Sequence, residues 1–145
     1  MLACFATLST SYVANSYAEN MSVGFSGTEM RSAPNAMASR VVAKLLPYSP
    51  LTVIEKDSDY YKVKDYRGRS GWVHRALLSS APSVVVTSDS ANVRQGPGTN
   101  HAVVFKLSKG MTAKLLEKQG KWVNVQIADG KKGWYLNSNE SRKNR

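Results

Sequence analysis

Cysteine and histidine are scarce in this sequence, whose 145 residues contain one cysteine, Cys4, and two histidines. A single cysteine excludes a disulfide within the chain, and Cys4 with His74 and His101 is too small a set for a Cys/His zinc finger. Long apolar runs are also missing, which excludes an ordinary membrane-spanning helix of about 18 or more residues. Because 42% of the residues are hydrophobic and 21% are charged, the composition is still that of a folded protein.

Acidic residues are few, with 10 against 20 lysines and arginines, so the net charge is +10. The basic excess is spread over both halves of the chain, which indicates two similar basic bodies rather than a globule with a basic arm. A diffuse positive field favours polyanions: nucleic acid, anionic lipid or anionic envelope polymers. The alternative is that the lysines only keep a small β-protein soluble.

The residues that common enzyme mechanisms need are missing or poorly placed. Asp57 and Asp59 have the surroundings of a hairpin turn, not of the paired carboxylates of a glycosidase. A cysteine peptidase would need a cysteine beyond Cys4, and the glycine-rich phosphate-binding motif does not occur. His74 and His101 fall at non-equivalent positions, so a shared metal is not expected. We therefore expect a protein that is not an enzyme and that needs no cofactor or metal.

The first 18 residues carry no charge and resemble a signal peptide, with small residues preceding a cleavage point before Glu19. The basic segment that normally opens such a peptide is missing, so we expect the natural start to lie upstream. Two alternatives remain open: lipid attachment at Cys4, and an apolar N-terminus of a cytosolic protein. Export would place the protein in the periplasm or outside the cell.

An internal repeat organises the rest of the chain. The matching landmarks, first copy then second, are 30–34 and 93–97, 60–63 and 122–125, and Gly71-Trp72 and Gly133-Trp134. Several landmarks in one order predict two tandem modules, at 22–79 and 83–138, followed by a basic disordered tail at 139–145. Because the join between the modules is short, we expect them to pack against each other, and we expect a monomer.

Within each module the apolar residues alternate as in strands. Val123 and Val125 share one face, which leaves Trp122 on the other, and Tyr60 has the equivalent outward position in the first module. Asp-Gly at 129–130 is typical of a tight hairpin turn. The predicted strands lie near 51–56, 60–65, 70–74, 91–94, 102–107, 112–118, 122–127 and 132–136. A sheet of short strands must hide its unpaired edges, and closing the sheet into a barrel does so. We therefore predict two tandem small barrels of five to six antiparallel strands each.

The motifs resemble those of the bacterial SH3-like domain family. The second module opens with Asn92-Val-Arg-Gln-Gly96-Pro97-Gly98, similar to the family's opening signature, and both modules close on Gly-Trp. The first module departs from the pattern, because its segment 29–34 lacks both glycines. The resemblance implies an exported, non-catalytic small barrel that binds cell-wall peptide, hence peptidoglycan, or an envelope protein.

Aromatic side chains are the candidate ligand contacts. Trp72 and Trp134 are expected to pack across their barrels and be buried. Tyr60 and Trp122 lie opposite the aliphatic face, where they favour a shallow binding groove. We add further candidates for this groove: Tyr48, Tyr66, Tyr135 and Arg94. For Arg94 the alternative is that it caps main-chain carbonyls.

Two other functions fit the same sequence. A basic small barrel could bind nucleic acid, with Trp122 stacking on a base and lysines contacting phosphates: Lys114, Lys118, Lys121, Lys131 and Lys132. The signal-like N-terminus argues against this function. The other possibility is a scaffold that only holds another envelope protein.

Overall fold

The computed structural model describes residues 19–137 of the chain. The predicted signal peptide, Cys4 and the predicted tail at 139–145 lie outside the described residues. Within them the chain forms thirteen strands and one 3-10 turn. The strands are β1 Glu19–Val23, β2 Glu29–Arg31, β3 Val41–Lys44, β4 Pro50–Asp57, β5 Tyr60–Asp65, β6 Ser70–His74, β7 Leu78–Ser79, β8 Ser83–Val85, β9 Ser90–Arg94, β10 Val103–Ser108, β11 Thr112–Gln119, β12 Trp122–Gln126 and β13 Lys132–Leu136, and the 3-10 turn is Arg75–Leu77.

These strands form two antiparallel sheets with the same internal order. The first runs β3-β2-β6-β5-β4-β1-β7 and the second β10-β9-β13-β12-β11-β8. A bulge interrupts the pairing at equivalent positions, at Ile54 between β4 and β5 and at Leu116 between β11 and β12. The predicted all-β class is confirmed, with one strand more than expected in the first sheet because Leu78 and Ser79 pair with β1.

Polar side chains and glycines close the corresponding hairpins of the two modules. Gly68 and Gly130 have φ of 84° and 94°, a left-handed conformation that glycine adopts without steric cost. Asp65 Oδ1 accepts hydrogen bonds from the amides of residues 67 and 69, and Asp129 Oδ1 accepts one from the amide of Lys131. The sequence therefore specifies both turns locally, which fixes the register of the flanking strands.

Each sheet buries its own hydrophobic cluster, so residues 19–137 contain two small cores. The first is formed by Val23, Met30, Ala43, Leu45, Leu51, Val53, Val63 and Val73. The second is formed by Val86, Val93, Leu107, Ala113, Val123, Val125 and Tyr135. The alternation predicted for β5 and β12 is present, with Val63, Val123 and Val125 inside.

In each Gly-Trp pair the glycine, and not the tryptophan, faces the aliphatic cluster. Gly133 points into the core, where a Cβ atom would overlap Val93 Cγ1 and lie 3.0 Å from the carbonyl oxygen of Arg94. Only glycine lets β9 approach β13 this closely. Because side chains alternate along a strand, Trp134 then points away from the aliphatic cluster. The predicted burial of Trp134 is confirmed, since this residue is only 9% exposed, although its side chain lies on the side of β13 opposite the aliphatic cluster.

The first module repeats this arrangement. A Cβ atom on Gly71 would overlap Met30 and lie 2.8 Å from the carbonyl oxygen of Arg31. Val73 therefore joins the core cluster, while Trp72 lies on the other side of β6 and is also 9% exposed. The strand that crosses each Gly-Trp pair thus decides which of its two residues faces inward.

The two modules contact each other through hydrogen bonds and a short linker. Thr112 Oγ1 donates to the main-chain carbonyl of Pro47 at 2.6 Å. Ser22 Oγ donates to the carbonyl of Ala81, in the linker, at 2.8 Å. Both hydroxyls belong to buried residues, and the two bonds are partly buried, so water competes for them less than at the surface.

Candidate functional site

Each module has a polar and aromatic face on the side of its sheet away from the core, which we call the outer face. Directly paired residues on three neighbouring strands form a row across it. The rows are Arg31, Trp72 and Lys62 in the first module and Arg94, Trp134 and Asn124 in the second. The duplication therefore places an arginine beside a covered indole at the same position twice.

The next row of each outer face contains the predicted aromatic contacts. Tyr60 pairs with His74, and their rings meet edge to face with centroids 5.1 Å apart. Trp122 pairs with Leu136, which is exposed. Tyr60 and Trp122 are both half-buried, so each leaves part of a flat ring open to a ligand. This row is the part of the predicted groove that the two modules share.

The two arginines hold the loop that follows their own strand. Arg94 Nη1 donates to the carbonyls of Thr99 and His101, at 3.1 and 2.9 Å. Arg31 donates to the hydroxyl and the carbonyl of Ser39, at 2.8 and 3.0 Å, and to Glu29. Each guanidinium therefore uses its N–H groups to hold the loop of its own module. Equivalent arginines order two loops of different sequence.

The Gly-Pro-Gly segment forms a tight loop against His101. A Cβ atom on Gly96 would lie 2.6 Å from Cε1 of this histidine, so the imidazole occupies the space that a side chain would need. The amide of Gly98 donates to the carbonyl of Gly96 at 2.9 Å, a turn that Pro97 favours by restricting φ. Asn92 lies outside this loop, on β9, where it is exposed.

The remaining candidate residues do not join the outer faces. Tyr135 is only 5% exposed and packs in the second core cluster. Its place in the groove was therefore a wrong prediction, because Gly133 must face inward and Tyr135, two residues along β13, faces inward with it. Tyr48 is half-buried in a left-handed turn, with φ of 64°. The six predicted contacts thus do not meet in one groove.

Tyr66 lies in a different place, on the wall of a cleft between the modules. This cleft has a volume of about 590 Å³, within the range of small-ligand sites. Its first wall comes from β1, β4 and β5 of the first module, and its second from the linker, β8 and parts of the second module. Sequence reasoning missed the cleft, because no pattern within a single module indicates how two modules meet.

The charged side chains that line the cleft differ in burial and in pairing. Asp65 is buried, and its carboxylate is compensated by Arg69 at 2.7 Å and by two main-chain amides. Lys64 and Lys118 line the same cleft and are exposed. The buried carboxylate is thus matched within the first module, and the exposed ammonium of Lys64 adds positive charge to the open part of the cleft.

Metal and membrane features give no further candidate. Among residues 19–137, no group of three or more His, Cys, Asp or Glu side chains is arranged to hold a metal ion. In the same part of the chain, no helix has the length and apolar character needed to cross a membrane.

Comparison with known proteins identifies the modules. The chain is 36% identical over 61 residues to YrvJ of Bacillus subtilis, a protein named as an N-acetylmuramoyl-L-alanine amidase. It is 35% identical over 51 residues to LytH of Staphylococcus epidermidis, named as a cell wall amidase. These matches cover 42% and 34% of the chain, but the chain spans only 12% and 18% of the two relatives.

Among solved structures, an NlpC/P60 family protein from Bacillus cereus matches 81% of the chain and 54% of its own, with 17% identity and a TM-score of 0.42. The family model described as bacterial SH3 domain matches the sequence twice, at residues 26–79 and 89–141. Since these two matches cover well over half of the sequence, the chain belongs to the bacterial SH3 domain family.

Proposed function

We propose that this chain is an exported, non-catalytic binding protein of the cell envelope that holds peptidoglycan stem peptide through the outer faces of its two modules. The observation that carries the proposal is the similarity to proteins named as cell wall amidases, which extends over about the length of one module. The chain spans 12% and 18% of these two relatives, and we take the shared part to be the binding module that the bacterial SH3 domain family supplies.

The outer faces support this role by their chemistry. Tyr60 and Trp122 each present part of a flat ring beside polar neighbours, a combination that suits extended peptides. The surface is shallow, so one module alone buries little of a ligand and binds weakly. Two linked modules on one polymer gain affinity because the second contact is intramolecular.

The test is retention of the purified protein on insoluble cell-wall sacculi at moderate salt. We expect the native protein to sediment with the sacculi and Trp122→Ala to be retained several-fold less while it stays folded at the temperature of the assay. The matched control is Phe25→Ala, because Phe25 is 57% exposed and lies outside both outer-face rows. No retention of the native protein, or equal loss in both variants, contradicts the proposal.

Nucleic-acid binding is the alternative that the same experiment separates. If the positive charge of +10 acts by itself, retention on any polyanion falls steeply with salt. Stem-peptide binding through aromatic rings depends on salt much less. Tighter binding to an oligonucleotide than to sacculi at moderate salt would therefore favour the nucleic-acid function.

A further inference from the structure

The outer face of the first module continues to the cleft through a third row of paired residues. Thr52 and Lys64 are directly paired across β4 and β5, and Asn20 pairs with Thr52 from β1. Their side chains share one side of the sheet because paired residues point the same way, and all three line the cleft. Tyr60 lies on the same side of β5, four residues before Lys64. The first module therefore presents one surface that begins at Tyr60 and ends at the mouth of the cleft.

The two ends of this surface carry opposite charges. Asp57 pairs with Tyr60 at one end, and Lys64 lies at the other. Both charged side chains are exposed, and within residues 19–137 neither makes an ion pair. Between these ends Glu55 and Lys62 are directly paired, so the middle row brings one charge of each sign. The uncompensated charges of β4 and β5 are therefore a carboxylate and an ammonium at opposite ends of the surface.

The distance between the charged ends fits a short peptide. Tyr60 and Lys64 are four residues apart on β5, and a strand rises about 3.3 Å per residue, so the two ends lie about 13 Å apart. An extended chain of four residues spans about the same length. Because a peptide with free termini has a positive amine and a negative carboxylate, its two charges match those of the surface in sign and spacing.

Each end offers more than one suitable group. Beside Asp57 the ring of Tyr60 is half-buried, and an aromatic ring attracts an ammonium group through its face. At the cleft, the amide of Asn20, the hydroxyl of Thr52 and the ammonium of Lys64 are all able to donate to a carboxylate. None of these three side chains makes a hydrogen bond within the described part of the chain, so their donors are available to a ligand.

The second module lacks this arrangement of charges. Gln119 pairs with Trp122, so an amide stands where the first module has Asp57. Its third row consists of Lys114, Gln126 and Lys132. The outer face of the second module therefore has a positive end but no negative end, and it does not match a peptide with two free termini.

We propose that the outer face of the first module binds an extended peptide of about four residues that has both termini free. Its amine lies at Asp57, and its carboxylate lies at the row of Asn20, Thr52 and Lys64. The peptide passes over the middle row in the direction of β5. This inference rests on the proposed function, because it names the ligand class and the module for the same outer face.

The probes are peptides of alternating Ala and Ser, which have no charged side chain. The reference probe has four residues and two free termini. Two probes of the same length have an acetylated amine or an amidated carboxylate, and two others have two or eight residues. Binding to the soluble full chain is followed by NMR titration of its amide signals at about pH 6.5, where a terminal amine, with a pKa of about 7.7–8.0, is protonated.

The titration contains no cell wall, so its result is independent of retention on sacculi. End-specific binding without retention contradicts the proposed function and leaves this site in place. Retention on sacculi without end-specific binding contradicts this inference alone.

We expect the reference probe to bind and to shift the amide signals of β5 and β6 more than those of β12 and β13. Acetylation and amidation should each weaken binding by about threefold to fivefold, the effect of one exposed charge pair. The two-residue and eight-residue probes should also bind more weakly. Their extended ends are about 7 and 26 Å apart, so both termini do not reach their partners together.

Two variants connect each terminus to its residue. Asp57→Asn should bind the free and the acetylated probe equally, and Lys64→Gln should bind the free and the amidated probe equally, because each variant removes the charge that distinguishes the two probes. The matched controls are Asp89→Asn and Lys106→Gln, which make the same charge changes at exposed positions of the second module. Both controls should keep the native preference for free termini.

Several results would overturn the proposal. These are equal binding of the free, acetylated and amidated probes by the native protein, equal binding of the two-residue and four-residue probes, or larger shifts in β12 and β13 than in β5 and β6. Equal loss of the preference in the control variants would also overturn it, since net charge would then select the probe. If a variant fails to fold, the comparison of probes with the native protein still tests the proposal.

Discussion

The hydroxyl of Thr112 donates a 2.6 Å hydrogen bond to the main-chain carbonyl of Pro47, 65 residues earlier in the chain. The donor begins β11 of the second module and the acceptor precedes β4 of the first. Thr112 is buried, so water does not readily replace the bond. This contact, together with that from Ser22 to Ala81, makes the position of one module dependent on the other.

Removing this hydroxyl should loosen the contact between the modules. Thr112→Val keeps the shape of the side chain but leaves the Pro47 carbonyl without its donor, which costs about 1–2 kcal/mol. We expect a lower urea midpoint and, in NMR relaxation, faster and less equal tumbling of the two modules. The control is Thr99→Val, because Thr99 is exposed in a loop. Unchanged tumbling of Thr112→Val would show that the other contacts suffice.

Substitution of a glycine where two strands cross should destabilise the fold more than substitution of a glycine in a turn. In Gly133→Ala the new methyl group overlaps Val93 Cγ1 and approaches the Arg94 carbonyl to 3.0 Å, so we expect a loss of about 3 kcal/mol. Gly130→Ala meets no atom within 4 Å but has φ of 94°, and we expect it to lose about 1 kcal/mol. Urea unfolding measures both.

A second substitution tests the cause of that difference. If the overlap with Val93 dominates, Val93→Ala should make Gly133→Ala less harmful, so that the double variant loses less than the sum of the single losses. Additive losses would instead identify the Arg94 carbonyl as the obstacle. A loss in Gly133→Ala no larger than in Gly130→Ala would mean that β9 can move away from β13.

The fold could be predicted from the sequence where strands are long and regular. The strands β4–β6 and β11–β13 alternate clearly and end at turn residues such as Gly68 and Asp129, and their positions were predicted to within about two residues. The strands β1, β2, β3, β7 and β8 were missed. Four of them have only two to four residues, too few to show a period, and β1 has five. Such short strands form because a neighbouring strand offers free main-chain groups.

The candidate site could be predicted only in part, and the Gly-Trp pairs show why. Alternation predicts that glycine and tryptophan face opposite sides, but it does not tell which side is the core. Hydrophobicity favours tryptophan inside, whereas the close approach of Met30 and Val93 requires glycine there. The cleft could not be predicted at all, since it depends on contacts between modules such as Thr112 to Pro47.

Arg94 should act on its loop more than on the whole fold. Lysine keeps the charge but cannot donate from one rigid group to the carbonyls of Thr99 and His101. We expect Arg94→Lys to raise amide hydrogen exchange in residues 95–102 by about tenfold and to leave β12 unchanged. The control is Arg40→Lys, because Arg40 is exposed. Faster exchange across the whole second module would show that the arginine supports the sheet itself.

The start of β1 is tied to β4 by an ion pair with a measurable pKa. Lys56 Nζ lies 2.8 Å from Glu19 Oε1 and 4.8 Å from the centre of the Tyr61 ring. Its hydrogen bond to Glu19 raises the pKa of Lys56 above the ordinary value of 10.5. A raised pKa means that the pair's contribution to stability is fully present below the ordinary value and is lost as the pH rises through the pKa of Lys56.

Removing the carboxylate should therefore lower this pKa. In Glu19→Gln we expect the pKa of Lys56, followed by the 13Cε chemical shift, to fall toward its ordinary value, and the amides of β1 to exchange faster. Glu55→Gln is the matched control, because Glu55 is the exposed neighbour of Lys56 in β4 but takes no part in the ion pair with Glu19. If Glu55→Gln lowers the pKa as much, the shift comes from the general field of the sheet and not from the bond that anchors β1.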